Sequence, residues 1–252
     1  MPHDRKGRVL LVGAGPGAAD LLTIRALRAI ESADVILYDA LVGDEIRTLF
    51  PPRARAIEVG KRGHRPSTPQ DFINRLMVRF ARTGATVVRL KGGDPSIFGR
   101  AGEERAFLEA AGIAVEIIAG ITTASAAAAQ FGFSLTEREV ARRVLYATGR
   151  TLEGAAGGWQ AAADPSTTLC VYMGCAEIDI IAAQLIAAGR DPSTPALIAI
   201  DVERPGASSI RTTLAALVRD LRDYPTTAPV LILVGEACAS KAIEMALAAK
   251  VS

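Results

Sequence analysis

Short runs of β-branched and apolar residues alternate along this chain with segments of helical period, and that alternation admits few folds. Residues 8–12, 35–38, 56–59, 86–90 and 114–118 read as strands. Between them, Asp20 is predicted to cap a helix with a buried stripe of Leu21, Ile24, Leu27 and Ile30. Thr68 as cap, with Pro69 at the first helical position, opens another helix whose core side is Phe72, Ile73, Leu76 and Phe80. A third helix fills 101–111 and stops at Gly112. Apolar strands that each feed a helix predict a mostly parallel, doubly wound α/β sheet covered on both faces. The second half repeats the class without repeating the sequence. Strands are expected at 144–147, 168–172, 195–200 and 230–234, and helices near 177–188 and 213–222. The alanine-rich 122–129 reads as the join between an N-terminal domain, 1–119, and a C-terminal domain, 120–252. Gly154 to Gly158 reads as a surface loop.

In a parallel sheet the loops that follow the strands emerge on one edge, and such folds bind ligands there. In the first half each of these loops is unusual: Gly13-Ala14-Gly15-Pro16-Gly17, then Tyr38-Asp39, Gly60-Lys61-Arg62-Gly63, Gly92-Gly93-Asp94-Pro95 and Gly120-Ile121-Thr122-Thr123. The richest stretch is V-R-L-K-G-G-D-P-S-I-F-G-R, Val88 to Arg100. Its paired glycines allow close approach of a ligand to the main chain, Asp94 offers a carboxylate, and Phe98 an apolar plate. Taken alone it also reads as an ordinary turn. Gly13-x-Gly15-x-x-Ala18 with Asp39 fits a dinucleotide fingerprint. Against that reading, Pro16 removes a backbone donor that a pyrophosphate would use, and nothing downstream suggests hydride transfer.

Composition narrows the chemistry. With 252 residues, 29 Lys and Arg against 27 Asp and Glu, and half of the residues hydrophobic, the chain carries no global field for nucleic acid. An anionic partner must be met by a local basic patch. Three cysteines, Cys170, Cys175 and Cys238, form no CxxC pair and read as buried thiols of a reducing compartment. His3 and His64 are the two histidines, too few for a His-rich metal site, and no metal is expected. No apolar run approaches the roughly 18 residues that span a bilayer, and the charged N-terminus lacks a signal region, so a cytoplasmic protein is expected.

Together, and in this order, G-A-G-P-G, V-I-L-Y-D, V-G-K-R, the K-G-G-D-P-S-I-F-G-R loop, G-I-T-T-A and V-Y-M-G resemble the tetrapyrrole (precorrin) methyltransferases. The similarity runs from Val9 to Val234, and the K-G-G-D-P-x-x-F-G-R loop resembles the branch that acts on uroporphyrinogen III. The resemblance implies a second domain with a mixed sheet, S-adenosyl-L-methionine in the cleft between the domains, a homodimer and no nucleic-acid or membrane partner. It implies two C-methylations of uroporphyrinogen III, through precorrin-1 to precorrin-2, in siroheme- or cobalamin-type porphyrin biosynthesis, with S-adenosyl-L-homocysteine as co-product. No stretch resembles a dehydrogenase-chelatase extension, so the reaction is expected to stop at precorrin-2.

By the same resemblance the cofactor contacts are Pro16, Gly92, Gly93, Asp94, Ile97, Thr122, Thr123, Met173 and Val202, with Asp39 as proton acceptor and Lys61 as proton donor. Outside the resemblance, Asp39 reads equally as a turn cap, Lys61 as a solvated charge and Met173 as a core gap-filler. Uroporphyrinogen III carries eight carboxylates, so Arg62, Arg65, Lys91, Arg100, Arg138, Arg142 and Arg143 are candidates to hold it, since guanidinium pairs carboxylate bidentately. Three positions depart from the family pattern: Glu137 and Arg150 stand where histidine is common, and Val202 where glycine is. A later cobalt-precorrin methyltransferase remains an alternative reading, as does, more remotely, a nucleotide-binding sensor without turnover.

Overall fold

The computed structural model describes residues 7–60, 68–149, 159–224 and 227–239. His3, Lys61, Arg62, His64, Arg65, Arg150 and the loop 154–158 lie outside the described residues. The chain divides into two units, Met1–Thr123 and Ala124–Ser252.

In the first unit the elements run β1 (Arg8–Gly13), α1 (Ile24–Glu31), β2 (Val35–Tyr38), α2 (Asp44–Thr48), β3 (Arg55–Glu58), α3 (Gln70–Ala81), β4 (Thr86–Lys91), α4 (Ala101–Ala110) and β5 (Ala114–Ile118). All five strands are parallel, in the order β3-β2-β4-β1-β5. The chain leaves β1, crosses β4 to build β2 and β3, returns to β4 and then places β5 on the far side. The strand order therefore reverses at the β4–β1 neighbours, where open α/β sheets leave a crevice at the carboxyl ends. Along β1 and β4 nearly every residue is buried, as a strand covered on both faces requires. Val9, Leu11, Leu37 and Val87 pack under α3 and α4 with Ile73, Met77, Val78 and Leu108. Leu10, Val12, Ile36, Val88 and Leu90 pack on the other face with Ala26, Ile30 and Ile46 of α1 and α2.

Two helix starts differ from the sequence reading. Asp20 sits in a separate 3-10 turn, Ala19–Leu21, and α1 is capped by Thr23, whose hydroxyl accepts from the Ala26 N–H at 3.1 Å. The buried stripe is consequently Ala26, Ala29 and Ile30, with Ile24 exposed. Pro69 is the cap residue of α3 rather than its first helical residue, and Phe72 turns outward while Met77 and Val78 fill the core.

The second unit runs α5 (Thr123–Gln130), β6 (Arg143–Thr148), α6 (Gln160–Ala163), β7 (Thr167–Tyr172), α7 (Ile178–Ala187), β8 (Pro195–Ile200), β9 (Ser208–Thr213), α8 (Leu217–Asp223) and β10 (Val230–Val234). The alanine-rich join is thus a helix, and β9 is a strand in a stretch to which the sequence reading assigns no element, ending at Thr213 where a helix is expected to begin. The sheet is mixed, in the order β6-β7-β10-β8-β9, with β6 and β7 parallel and the other neighbours antiparallel. Leu169, Val171, Ile198, Ile200, Ile232 and Val234 face Ile178, Ile181 and Leu185 of α7 and Leu217 of α8. A buried cation ties this unit together. Arg190 donates to the carbonyls of Ala162, Asp164 and Thr167 at 3.0, 2.5 and 3.2 Å, so its burial is balanced by backbone acceptors. Cys170 and Cys238 are buried, whereas Cys175 is exposed, against the expectation that all three are buried.

Candidate functional site

At the carboxyl edge of the first sheet three loops meet backbone to backbone. The loop after β1 and the loop after β4 form a bridge: Gly93 N–H donates to the Gly15 carbonyl at 2.6 Å and Gly15 N–H returns to Gly93 at 3.2 Å. The loop after β5 closes on both, since a Cβ on Gly120 would lie 2.3 Å from the Gly93 oxygen, and one on Gly13 would lie 2.5 Å from the Gly120 nitrogen. Only residues without side chains permit that approach. Asp94 fastens it: Oδ2 accepts from the Gly120 N–H at 2.9 Å and Oδ1 from the Ser96 N–H at 2.7 Å.

Gly93 itself holds φ at +68°, and a Cβ there would meet nothing within 4 Å. The glycine thus borders open space, a cradle that a side chain would fill. Valine at this position is a steric outlier, because a β-branched residue rarely adopts positive φ. Gly93→Val should keep the fold and weaken S-adenosylhomocysteine binding at least about tenfold, read by titration calorimetry. An unchanged affinity would separate this loop from the cofactor.

This geometry also disposes of the dinucleotide fingerprint. The Ala14 and Gly15 N–H groups are spent on the Lys91 and Gly93 carbonyls, and α1 begins only at Ile24. A pyrophosphate site needs such amides free and the turn running straight into a helix N-terminus.

Asp39 follows β2 directly. Its carboxylate does not cap the turn, where its own carbonyl accepts from Val42 N–H at 3.0 Å. Instead Oδ1 accepts from Arg89 Nη2 at 2.5 Å, and the side chain is 27 % exposed. Arg89 belongs to a cluster that sequence reasoning misses. Arg89 and Lys91 point from β4 to the α3/α4 face, where Val87 joins the apolar core two residues earlier. Glu104, in the first turn of α4 and 0 % exposed, answers them: Oε1 accepts from Arg89 Nε at 3.3 Å, Lys91 Nζ at 3.1 Å and Gln70 Nε2 at 2.9 Å. Gln70 Nε2 also donates to Asn74 Oδ1 at 3.0 Å.

Lys91, expected among the contacts to substrate, is only 5 % exposed and its amine is committed to Glu104. Burial, and then the neighbouring Arg89, hold its pKa below the ordinary lysine value. The signal for this cluster lies in V-R-L-K: two charges at alternate positions of a strand covered on both faces must find buried partners.

The remaining residues expected at the site are distributed over several elements. Pro16 is buried in the first loop, while Ile97, Thr122 and Thr123 are half-buried on the β4 and β5 loops. Arg100 is exposed and forks onto Glu103, with Nε on Oε1 at 3.0 Å and Nη2 on Oε2 at 2.5 Å.

In the second unit β6, β7 and β8 all point one way, because β10 is antiparallel to β7 and to β8. Their carboxyl ends share an edge that carries Gly149, Met173 and Val202. Met173 is 44 % exposed with φ at +54°, and buried Val202 lies between Asp201 and Glu203, at +51° and +57°. Left-handed backbone at residues other than glycine costs about 1–3 kcal/mol each and gathers at ligand sites. Arg138 and Glu137 lie on the short turn closed by the Glu137–Ala141 bridge, with Arg138 and Arg142 exposed. Arg143 pairs with Asp164. No group of His, Cys, Asp and Glu with metal-binding geometry occurs among the described residues.

Comparison with known proteins extends this picture. Residues 8–218 match the family model of tetrapyrrole (corrin/porphyrin) methylases. The uroporphyrinogen-III C-methyltransferase of Pseudomonas aeruginosa is 46 % identical over 230 residues, covering 91 % of this chain and 94 % of that protein. The siroheme synthase of Chromobacterium violaceum is 45 % identical over 92 % of this chain, which spans 50 % of that protein's length. Among solved structures, the uroporphyrin-III C-methyl transferase of Thermus thermophilus, complexed with S-adenyl homocysteine, superposes with a TM-score of 0.78 at 37 % identity, covering 92 % of this chain and 98 % of that one.

Proposed function

The chain belongs to the tetrapyrrole (corrin/porphyrin) methylase family, and we propose that within it the protein transfers methyl groups from S-adenosyl-L-methionine to two ring carbons of uroporphyrinogen III, giving precorrin-2 through precorrin-1. The observation that carries this reading is the glycine crossing of the first sheet: backbone groups, open space at Gly93, and the Ala14 and Gly15 amides spent on neighbouring carbonyls. Such a site suits a nucleoside joined to an amino acid, which carries no phosphate and asks for open backbone and apolar walls. Gly92, Gly93, Asp94, Ile97, Pro16, Thr122 and Thr123 of the first unit would hold it; Met173 and Val202 are added as contacts by the resemblance alone.

When bound, S-adenosylmethionine supplies an electrophilic methyl on a sulfonium, with no metal needed. The chain's own task is to place the tetrapyrrole carbon, exclude water and remove one proton per methylation. Positioning accounts for much of such catalysis. Asp39, part-exposed at the strand end and paired with Arg89, accepts the proton that leaves the ring. Lys61, by resemblance the proton donor, would protonate one ring position only as another returns a proton to it, so that each methylation still releases a single proton. The substrate's eight carboxylates call for cations at the rim. Arg100, Arg138, Arg142 and Arg143, together with Arg62, make up that set, and burial removes Lys91 from it. Arg100 and Arg143 are already paired with Glu103 and Asp164, but exposed pairs are weak and exchange readily.

The protein is further proposed to act as a cytoplasmic homodimer; light scattering in solution tests the dimer. No helix among the described residues is long and apolar enough to cross a membrane. Incubation with uroporphyrinogen III and S-adenosylmethionine, followed by mass spectrometry, should show two added methyls. Methylation of a later precorrin in place of uroporphyrinogen III would move the protein to another branch of the family, and no methylation of any tetrapyrrole would leave a sensor.

A further inference from the structure

Among the described residues, Arg89, Lys91, Glu104 and Arg190 are the buried charged side chains, and the first three form one cluster. Arg190 has a structural explanation in the backbone acceptors of its own unit. The cluster is different, because one of its ends leaves the core and reaches a part-exposed carboxylate at the ligand edge.

We propose that Arg89 is the positioning residue of Asp39: its guanidinium, anchored on Glu104, holds the carboxylate by one oxygen and presents the other to the reacting tetrapyrrole. This rests on the reading of Asp39 as proton acceptor. The fork shape of the side chain carries the argument. Nη2 meets Asp39 Oδ1 at 2.5 Å, Nε meets Glu104 Oε1 at 3.3 Å and Nη1 approaches the Leu90 carbonyl at 3.4 Å. Three separate acceptors fix the plane of the guanidinium, and a planar donor in turn fixes the carboxylate it meets. Oδ2 of Asp39 has no partner among the described residues. Arg89 is 3 % exposed, so water does not compete for its contacts.

Glu104 in turn is held from α3 by Gln70 and from β4 by Lys91. The line from Gln70 through Glu104 and Arg89 to Asp39 joins two helices and two strands into one support for a single carboxylate. A cluster that merely fastened α3 and α4 to the sheet would be complete with Glu104, Arg89 and Lys91, and would not extend an arginine nitrogen to the strand end. The two acids and two bases balance, so the support adds no net charge to the core.

A double-mutant cycle tests this. Turnover, KM for uroporphyrinogen III and S-adenosylhomocysteine affinity are measured for Arg89→Met, Arg89→Lys, Asp39→Asn and Arg89→Met combined with Asp39→Asn. Arg89→Met should lower kcat by about tenfold to a hundredfold, the scale of a misplaced catalytic group, with KM and S-adenosylhomocysteine affinity unchanged. Arg89→Lys keeps the buried charge but serves only one acceptor, and should recover part of the loss. Should the methionine variant fail to fold, the lysine variant carries the test through its own fall in kcat. In the Asp39→Asn background Arg89→Met should change kcat less than about twofold, since residues acting through one another are not additive. Equal losses in both backgrounds would make the arginine a structural fastener and overturn the proposal. So would wild-type turnover in Arg89→Lys and Arg89→Met beside a slow Asp39→Asn, which leaves the role of Asp39 standing. If Asp39→Asn itself turns over at the wild-type rate, the acid–base reading falls and this inference with it.

Discussion

Replacing Glu104 by leucine should lower the stability of the first unit by about 3–5 kcal/mol, the cost of removing one member of a buried ion pair. The carboxylate is fully buried and its Oε1 gathers Arg89, Lys91 and Gln70. Leucine fills similar volume, so the loss would come from charge: Arg89 would keep Asp39, but Lys91 would keep no acid within bonding distance. The deficit should shrink as pH rises. Burial already lowers the folded pKa of Lys91 from the ordinary 10.5, and removing Glu104 takes away the first of the influences that raise it. Between that lowered value and 10.5 the unfolded chain binds the proton more tightly than the folded one, so alkaline solution favours the folded variant. Native-state hydrogen exchange of the β4 amides reads the loss for this unit alone, which matters because the single tryptophan, Trp159, reports on the other unit. A loss under about 1 kcal/mol would mean that the cluster is worth little to the fold.

That cluster also marks where the sequence stops being legible. Strands buried on both faces are contiguous apolar runs, and so Val35–Tyr38, Pro195–Ile200 and Val230–Val234 have in the structure the bounds their residues suggest. Ser208–Thr213 escapes because S-S-I-R-T-T is an edge strand, polar at all but Ile210 and paired on one side to β8. α5 escapes for the opposite reason: T-A-S-A-A-A-A-Q has almost no apolar contrast between its faces, so its period is silent. At α1 a carboxylate and a hydroxyl compete as caps three residues apart, and the 3-10 turn around Asp20 leaves Thr23 to start the helix. The ligand edge is readable because parallel strands bring every following loop to one side. Which loop groups are then spent on each other, as Asp94 is on Gly120 and Ser96, depends on the strand order β4-β1-β5, which local sequence does not encode. Asp39 is legible as a carboxylate at a strand end. Its partner Arg89 lies fifty positions away in the chain and is brought beside it only by the β2–β4 pairing.

Asp39→Asn should slow methyl transfer by about a hundredfold or more, the usual scale for a lost acid–base group, while leaving the fold and S-adenosylhomocysteine affinity intact. Asparagine keeps the shape and keeps an acceptor oxygen for Arg89, so the cluster is not emptied. What it loses is the capacity to take a proton at pH 7. The methylated ring carbon already bears a carboxylate side chain, so it becomes quaternary and leaves a cationic ring. That ring is neutralised when a proton departs from a ring nitrogen or bridging carbon, and the nearby group must receive that proton without first giving one up. The carboxylate is suited to this by its place. One oxygen is engaged with a buried cation and the side chain is 27 % exposed, so the other is open to a substrate at the carboxyl edge. The cations proposed for the rim would act on binding instead, and their removal should raise KM. The measurement is therefore single-turnover methylation at saturating uroporphyrinogen III, which isolates chemistry from affinity. If the variant turns over near the wild-type rate while Gly93→Val has lost its cofactor, proton removal belongs to water or to the substrate's own carboxylates, and Asp39 serves only as the outer end of the Arg89 cluster.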